Sequence, residues 1–386
     1  MSELIYNPTV HQYPAFDLEK LLRTVFAPEP GLRCAIFIDL QDPTDARDFK
    51  YLQNPAYSIQ KYAHDLFYQP LRGKTGESLG LKGCDFFAYK MTGGSNLDLP
   101  DTAYTPAGQE VNLESEVYPN YDLILCISTD SATAPLTAHA KKYGFRGATL
   151  HGLNETILQS GLAVNYEEVS EQAEKLRLGL TKSEKVEIDF SFGSHQTTLT
   201  LLLNGQEAQK SHGLCRGGPD VANLPAGEVY FVPEGAEGEF FMQYADGTIG
   251  LQKVSGGRIV KAEFLEGSPE TVEAHNAKLQ SDPVTGELGE LGFGTQILPV
   301  SGRDIQDEKI LGTLHVATGR SDHLGGSLTP DRFTESSHAT HDDILFSPSK
   351  TPSINVTQAR MTRDGETKIL IEDFIPSTYI EELLRS

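Results

Sequence analysis

Tryptophan is absent from the 386 residues, and cysteine is scarce, with four residues at 34, 84, 126 and 215. No two of them form a C-x-x-C pair, which argues against a zinc site built on cysteine. Cys34 and Cys126 lie inside apolar, strand-like runs and read as buried thiols, so a reducing, cytoplasmic setting is expected. Long apolar runs are missing too. The longest, "YDLILCIS" and "LTLLLN", are strand length, far short of the ~20 residues a helix needs to cross a bilayer. "MSELIYNPTVHQYPAFDLEK" lacks a basic region followed by an apolar one, and "EELLRS" carries no lipidation motif, so neither a secretory signal nor an anchor is expected. Basic charge is in deficit: 32 Lys and Arg stand against 54 Asp and Glu, a formal charge of −22. A field of that sign repels phosphate backbones, so nucleic acid is not expected as a partner, and no membrane partner is expected either. No H-E-x-x-H helix, G-x-S-x-G elbow or P-loop occurs.

What is there falls into two patterns, with no fixed-period repeat. In residues 1–180, helical spacing ("FDLEKLLRTVFA", "TAPLTAHAKKYG") alternates with buried-strand runs ("RCAIFIDL", "DLILCIS"). This order predicts an α/β domain with a mainly parallel sheet. After "VSEQAEKLRLGLTKSEK", a charged helix, the pattern becomes short strands bounded by glycine, such as "KVEIDFSFGSHQTTLTLLLNG" and "GGRIVKAEFLEG". One helix interrupts them, with Ser268 as N-cap and Pro269 at the first helical position. Residues 181–386 are therefore expected to form an α+β domain with a mixed or antiparallel sheet, and to carry the metal site.

Four of the eleven histidines crowd between His315 and His341, in "GTLHVATGRSDHLGG" and "SSHATHDDILF", with Asp322, Asp342 and Asp343 among them. On a strand, His341 and Asp343 share a face, and His315 points away from Leu314 and Val316. Two imidazoles and a carboxylate suit zinc, and equally a mononuclear non-haem iron site. Glu228 opens the strand "GEVYFVP" on the face opposite Val229 and Phe231. Glu290 sits in "GELGELGFGT", read as a glycine-rich turn where backbone can approach closely. Taken singly, each of these residues reads as a solvated polar group; it is their density that points to a metal.

The segments "NLPAGEVYFVPEG" (223–235), "ELGFGT" (290–295), "EKILGTLHVATG" (308–319) and "HDDIL" (341–345), in that order, resemble the thermophilic-type aminopeptidases of peptidase family M29, with a weaker echo in "RGATLHGLNETILQSGL". The resemblance spans roughly residues 213–345. It implies two divalent ions (zinc, cobalt or manganese) held by Glu228, Glu290, His315, His341 and Asp343. It also implies hydrolytic release of N-terminal residues from short peptides by a homodimer. Where the family has a tyrosine seven residues after the first histidine, this chain has Asp322, followed by His323. Aspartate donates no hydrogen bond unless protonated, so His323 is the candidate substitute and Asp322 a candidate additional ligand. Two other readings remain open: a ring-cleaving dihydroxypyridine dioxygenase using His315, His341 and Asp343 on one iron, and a metal-binding protein without catalysis.

Overall fold

The computed structural model describes residues 12–385. The expectations of no secretory signal and no lipidation motif rest partly on residues 1–11 and 386, outside the described residues. Among the described residues, no helix is long and apolar enough to cross a membrane. The chain divides into two compact units: residues 12–170 with 212–226, and residues 171–211 with 227–385. The division falls within the helix Tyr166–Leu180.

The first unit is built on a seven-stranded sheet. Five strands run parallel, in the order Val221–Asn223, Arg146–Thr149, Leu123–Cys126, Arg33–Leu40 and Gly83–Lys90, and a short antiparallel pair, Thr102–Tyr104 and Glu110–Asn112, completes one edge. The Arg33–Leu40 strand is central and buried from Cys34 onward, as an unbroken apolar run requires. Asp17 caps the helix Leu18–Phe26 by accepting from the Lys20 amide at 3.0 Å. The helix Thr133–Tyr143 ends on Gly144 at φ 88°, where glycine meets no steric cost. All four cysteines are buried free thiols, and burial pushes Cys126 up to about 12.

The second unit holds two antiparallel sheets. One has eight strands, with Lys185–Phe192 and His195–Leu202 at its middle. The other has five, in the order His341–Phe346, Leu314–Gly319, Leu288–Gly294, Glu228–Phe231 and Gln209–Ser211. The two sheets share one core. Val229, Phe231, Leu291, Phe293, Val316 and Ile344 of the smaller sheet are buried with Ile188, Phe190 and Phe240 of the larger. The Phe190 and Phe346 rings meet at 4.8 Å between centroids. Full burial of each such side chain contributes roughly 1.5–3 kcal/mol. The helix Pro269–Ser281 starts at Ser268, as predicted.

The segment read as a turn around Glu290 is instead the strand Leu288–Gly294, buried along its whole length. A bulge explains the difference. The register shifts between Leu288 and Glu290, so Leu288 joins Leu291 and Phe293 in the core although alternation alone would place it beside Glu290.

Candidate metal centre

Directly paired residues of antiparallel strands share a face. Glu228 is paired with Gly294, His315 with Gly292, Ala317 with both Glu290 and Asp343, and His341 with Gly319. The register therefore puts Glu228, Glu290, His315, His341 and Asp343 on the face of the five-stranded sheet that turns away from the core. The positions between them are glycine or alanine, and this is what leaves room for ligand side chains. A Cβ on Gly292 would lie 2.1 Å from Cε1 of His315. One on Gly294 would lie 2.1 Å from the Ile310 carbonyl oxygen, so this glycine admits the backbone that carries Glu308 and Lys309. That segment is held by the Gln296 amide donating to the Lys309 carbonyl at 2.8 Å and the Leu311 amide donating to the Gln296 carbonyl at 2.7 Å.

Glu290 lies between the two imidazoles. Its Oε2 is 2.9 Å from Nε2 of His341 and its Oε1 is 3.5 Å from Nε2 of His315. Nε2 of His341 is also 3.3 Å from Oδ1 of Asp343, and Nε2 of His315 is 3.7 Å from Oε2 of Glu228. His341 donates from Nδ1 to the Arg320 carbonyl at 2.6 Å, because a carbonyl only accepts; this fixes the tautomer and leaves Nε2 as the ligating nitrogen. The Lys309 ammonium, 1% exposed, donates to Oε2 of Glu228 at 2.7 Å and to Oε1 of Glu308 at 2.5 Å. Glu228, Glu290 and Glu308 are themselves buried, while the Asp343 side chain keeps 28% of its surface. Three sets of donor atoms fall within 4.8 Å of one another: Glu228, Glu290 and His315; Glu290, His341 and Asp343; Glu308, His315 and Asp343.

The electrostatics of this cluster call for positive charge. Burial alone would depress His315, but the hydrogen bond to Glu290 and the charges of Glu290, Glu308 and Asp343 outweigh it and raise it to about 10. His341 is likewise raised against its burial, by Asp343 and Glu290. Glu290 is held well below the usual carboxylate range, since the two imidazoles overcome the effect of burial. Burial pushes Glu308 up to about 8, with Lys309 opposing and Asp343 and Glu228 reinforcing. Lys309 is raised by Glu228 and Glu308 in spite of its burial. Several carboxylates this close and this deep are tolerated only beside cations.

Asp322 stands apart from the donor sets. Arg320 grips its carboxylate through Nε at 2.7 Å and Nη2 at 3.2 Å. His323 is in the cluster's wall: its ring meets the His341 ring edge-on at 4.9 Å, and burial holds it below the ordinary histidine range. Its Nδ1 is buried without a hydrogen-bond partner, 3.9 Å from the nearer oxygen of Asp322. His338 pairs with Asp282 at 2.9 Å, outside the donor sets. Arg216 pairs with Glu167 at 2.7 Å and donates to the Thr24 carbonyl, a structural role. Glu308 and Lys309 are the residues that sequence reasoning missed. The available signal was an adjacent pair of opposite charges running directly into the apolar "ILG" ahead of His315.

No family model matches this chain, and no curated protein matches it in sequence. Solved structures that share its fold include the following two. One is the 2,5-dihydroxypyridine dioxygenase from Pseudomonas putida KT2440, with TM-score 0.59, 13% identity, and coverage of 93% of this chain and 94% of that one. The other is AmpT from Thermus thermophilus, with TM-score 0.54, 12% identity, and coverage of 94% and 98%. At these identities the likeness is one of fold. It agrees with the two-part α/β and α+β architecture expected from the sequence.

Proposed function

We propose that this protein is a metal-dependent aminopeptidase acting on short peptides. The observation that carries the reading is the position of Glu290, whose two oxygens face different imidazoles. Each of the two donor sets containing Glu290 brings one histidine and one further carboxylate, so two ions can be held with this glutamate in common. His315 and Glu228 would hold one ion, and His341 and Asp343 the other. Nitrogen and carboxylate donors of this kind fit zinc, cobalt or manganese. Such ions, when bound, polarise a carbonyl and acidify a water. The chain's own residues then have distinct tasks. The Arg320 carbonyl fixes the ligating tautomer of His341. Arg320 itself withholds Asp322 from the reaction. His323, neutral in its buried setting, supplies the hydrogen bond that the family's tyrosine would otherwise give. A homodimer and a cytoplasmic location belong to the same reading.

The fold shared with the dioxygenase supports a second reading. In it, one iron is held by His315, His341 and Asp343, and a dihydroxylated aromatic ring is cleaved. Elemental analysis of protein purified without a chelating tag separates the two. Two zinc, cobalt or manganese ions per chain, with turnover on a panel of aminoacyl peptides, is the expected result. One iron per chain with ring cleavage would move the assignment to the dioxygenase. Bound metal without turnover on either substrate class would leave a metal-binding protein.

A further inference from the structure

We infer that the two ion positions proposed above are unequal in affinity, and that Lys309 makes them so. The inference rests on the two-ion reading and adds to it a residue outside the ligand set. The Glu228 oxygen that faces His315 is Oε2, and this same atom accepts from the Lys309 ammonium at 2.7 Å. An ion entering between Glu228, Glu290 and His315 must share that oxygen with an ammonium already bonded to it. It must also stand beside a positive charge that water does not screen, since Lys309 is 1% exposed. The ammonium cannot swing aside easily, because Glu308 also holds it at 2.5 Å, its own amide donates to the Gln306 carbonyl, and the backbone that follows it is pinned to Gln296. At the other position, Asp343 and Glu290 are both directed at Nε2 of His341. The Asp343 oxygen there, Oδ1, is buried with no ammonium bonded to it, so an ion meets no competing cation on that atom. The Glu290–His341–Asp343 position is therefore the tight one, and the His315 position is the exchangeable one. Lys309 is a positioning residue: it sets the occupancy of the site without touching the ion.

Calorimetric titration of the full, chelator-stripped chain with zinc tests this directly. The wild type should bind one ion tightly and a second at least about tenfold more weakly. Lys309→Met, which removes the charge and keeps the apolar stem, should tighten the second step to within a few fold of the first. Lys309→Arg should keep the gap. If Lys309→Met does not fold by circular dichroism, Lys309→Gln takes its place. Two equal steps in the wild type would overturn the inference, and that arm needs no variant. So would a second step that is unchanged in a folded Lys309→Met or Lys309→Gln protein. Failure of the wild type to bind any ion would instead remove the metal reading itself, so the two failures are distinguishable.

Discussion

Gly292 is the residue on which the His315 ligand depends. Any side chain there would have to occupy the volume of the imidazole, with a Cβ 2.1 Å from its Cε1. Gly292→Ala should therefore displace the ring. The expected outcome is a loss of roughly 1–3 kcal/mol of stability from overpacking, together with loss of the weaker zinc step. Chemical denaturation and zinc titration on the same preparation would check both. A second prediction concerns His275, away from the metal centre, whose Nδ1 lies 2.7 Å from the Tyr244 hydroxyl. Burial, assisted by Lys278, lowers it to about 4 from an ordinary 6.5. The folded state thus binds a proton less readily than the unfolded chain. The stability this group contributes is complete above about pH 6.5 and is lost as pH falls toward 4. A His275→Gln variant should show a shallower fall in urea midpoint between those two pH values than the wild type. A parallel decline in both would show that another group controls that limb.

At the scale of single elements, strand periodicity decided what could be read. His315 between Leu314 and Val316, and His341 two residues before Asp343, declare their faces by alternation, and the structure keeps them there. Glu228 ahead of Val229 and Phe231 does the same. Glu290 did not declare itself, because the bulge at Gly289 breaks the alternation and three glycines dilute the apolar pattern of a strand that is nonetheless buried. Glu308 and Lys309 were harder still. They follow a short helical turn, Asp304–Asp307, and reach Glu228 only because Gly294 admits their backbone. That is a tertiary event, and its one local trace is the pair of opposite charges set directly against an apolar run. Capping chemistry, in contrast, is local. Asp17→Ala should cost about 1 kcal/mol by leaving the Lys20 amide without its acceptor. Zinc affinity should be untouched, which makes this variant a control for the Gly292 substitution.

For the whole molecule, the alternation of helix and strand in the first unit and the run of short strands in the second were legible, the Leu288–Gly294 strand excepted. The pairing of Val221–Asn223 with Arg146–Thr149 was not, because three residues hold too little pattern to reveal a sheet partner. The charge of −22 reads differently once burial is known. Most carboxylates are solvated, while Glu228 and Glu290 of the five-stranded sheet, with Glu308 beside them, are buried where water screens them poorly. Ion binding should therefore couple to folding. Zinc binds the folded arrangement far better than the unfolded chain, so a hundredfold excess over the dissociation constant adds about 2.7 kcal/mol. Scanning calorimetry should show Tm rising with zinc in the wild type and a much smaller rise in His341→Ala. Equal shifts in the two proteins would place the stabilising ion elsewhere.

The Leu288–Gly294 strand is bonded along both edges, to the Glu228 strand on one side and the His315 strand on the other, and its apolar side chains anchor the shared core. Its amides can meet solvent deuterium only when that core opens. A chelated sample should thus still exchange slowly at Leu291 and Phe293, faster than a loaded one only by the stability that the ion adds. Emptying the centre would leave its donors standing in register, and reloading would take as long as an ion needs to arrive rather than as long as a chain needs to refold.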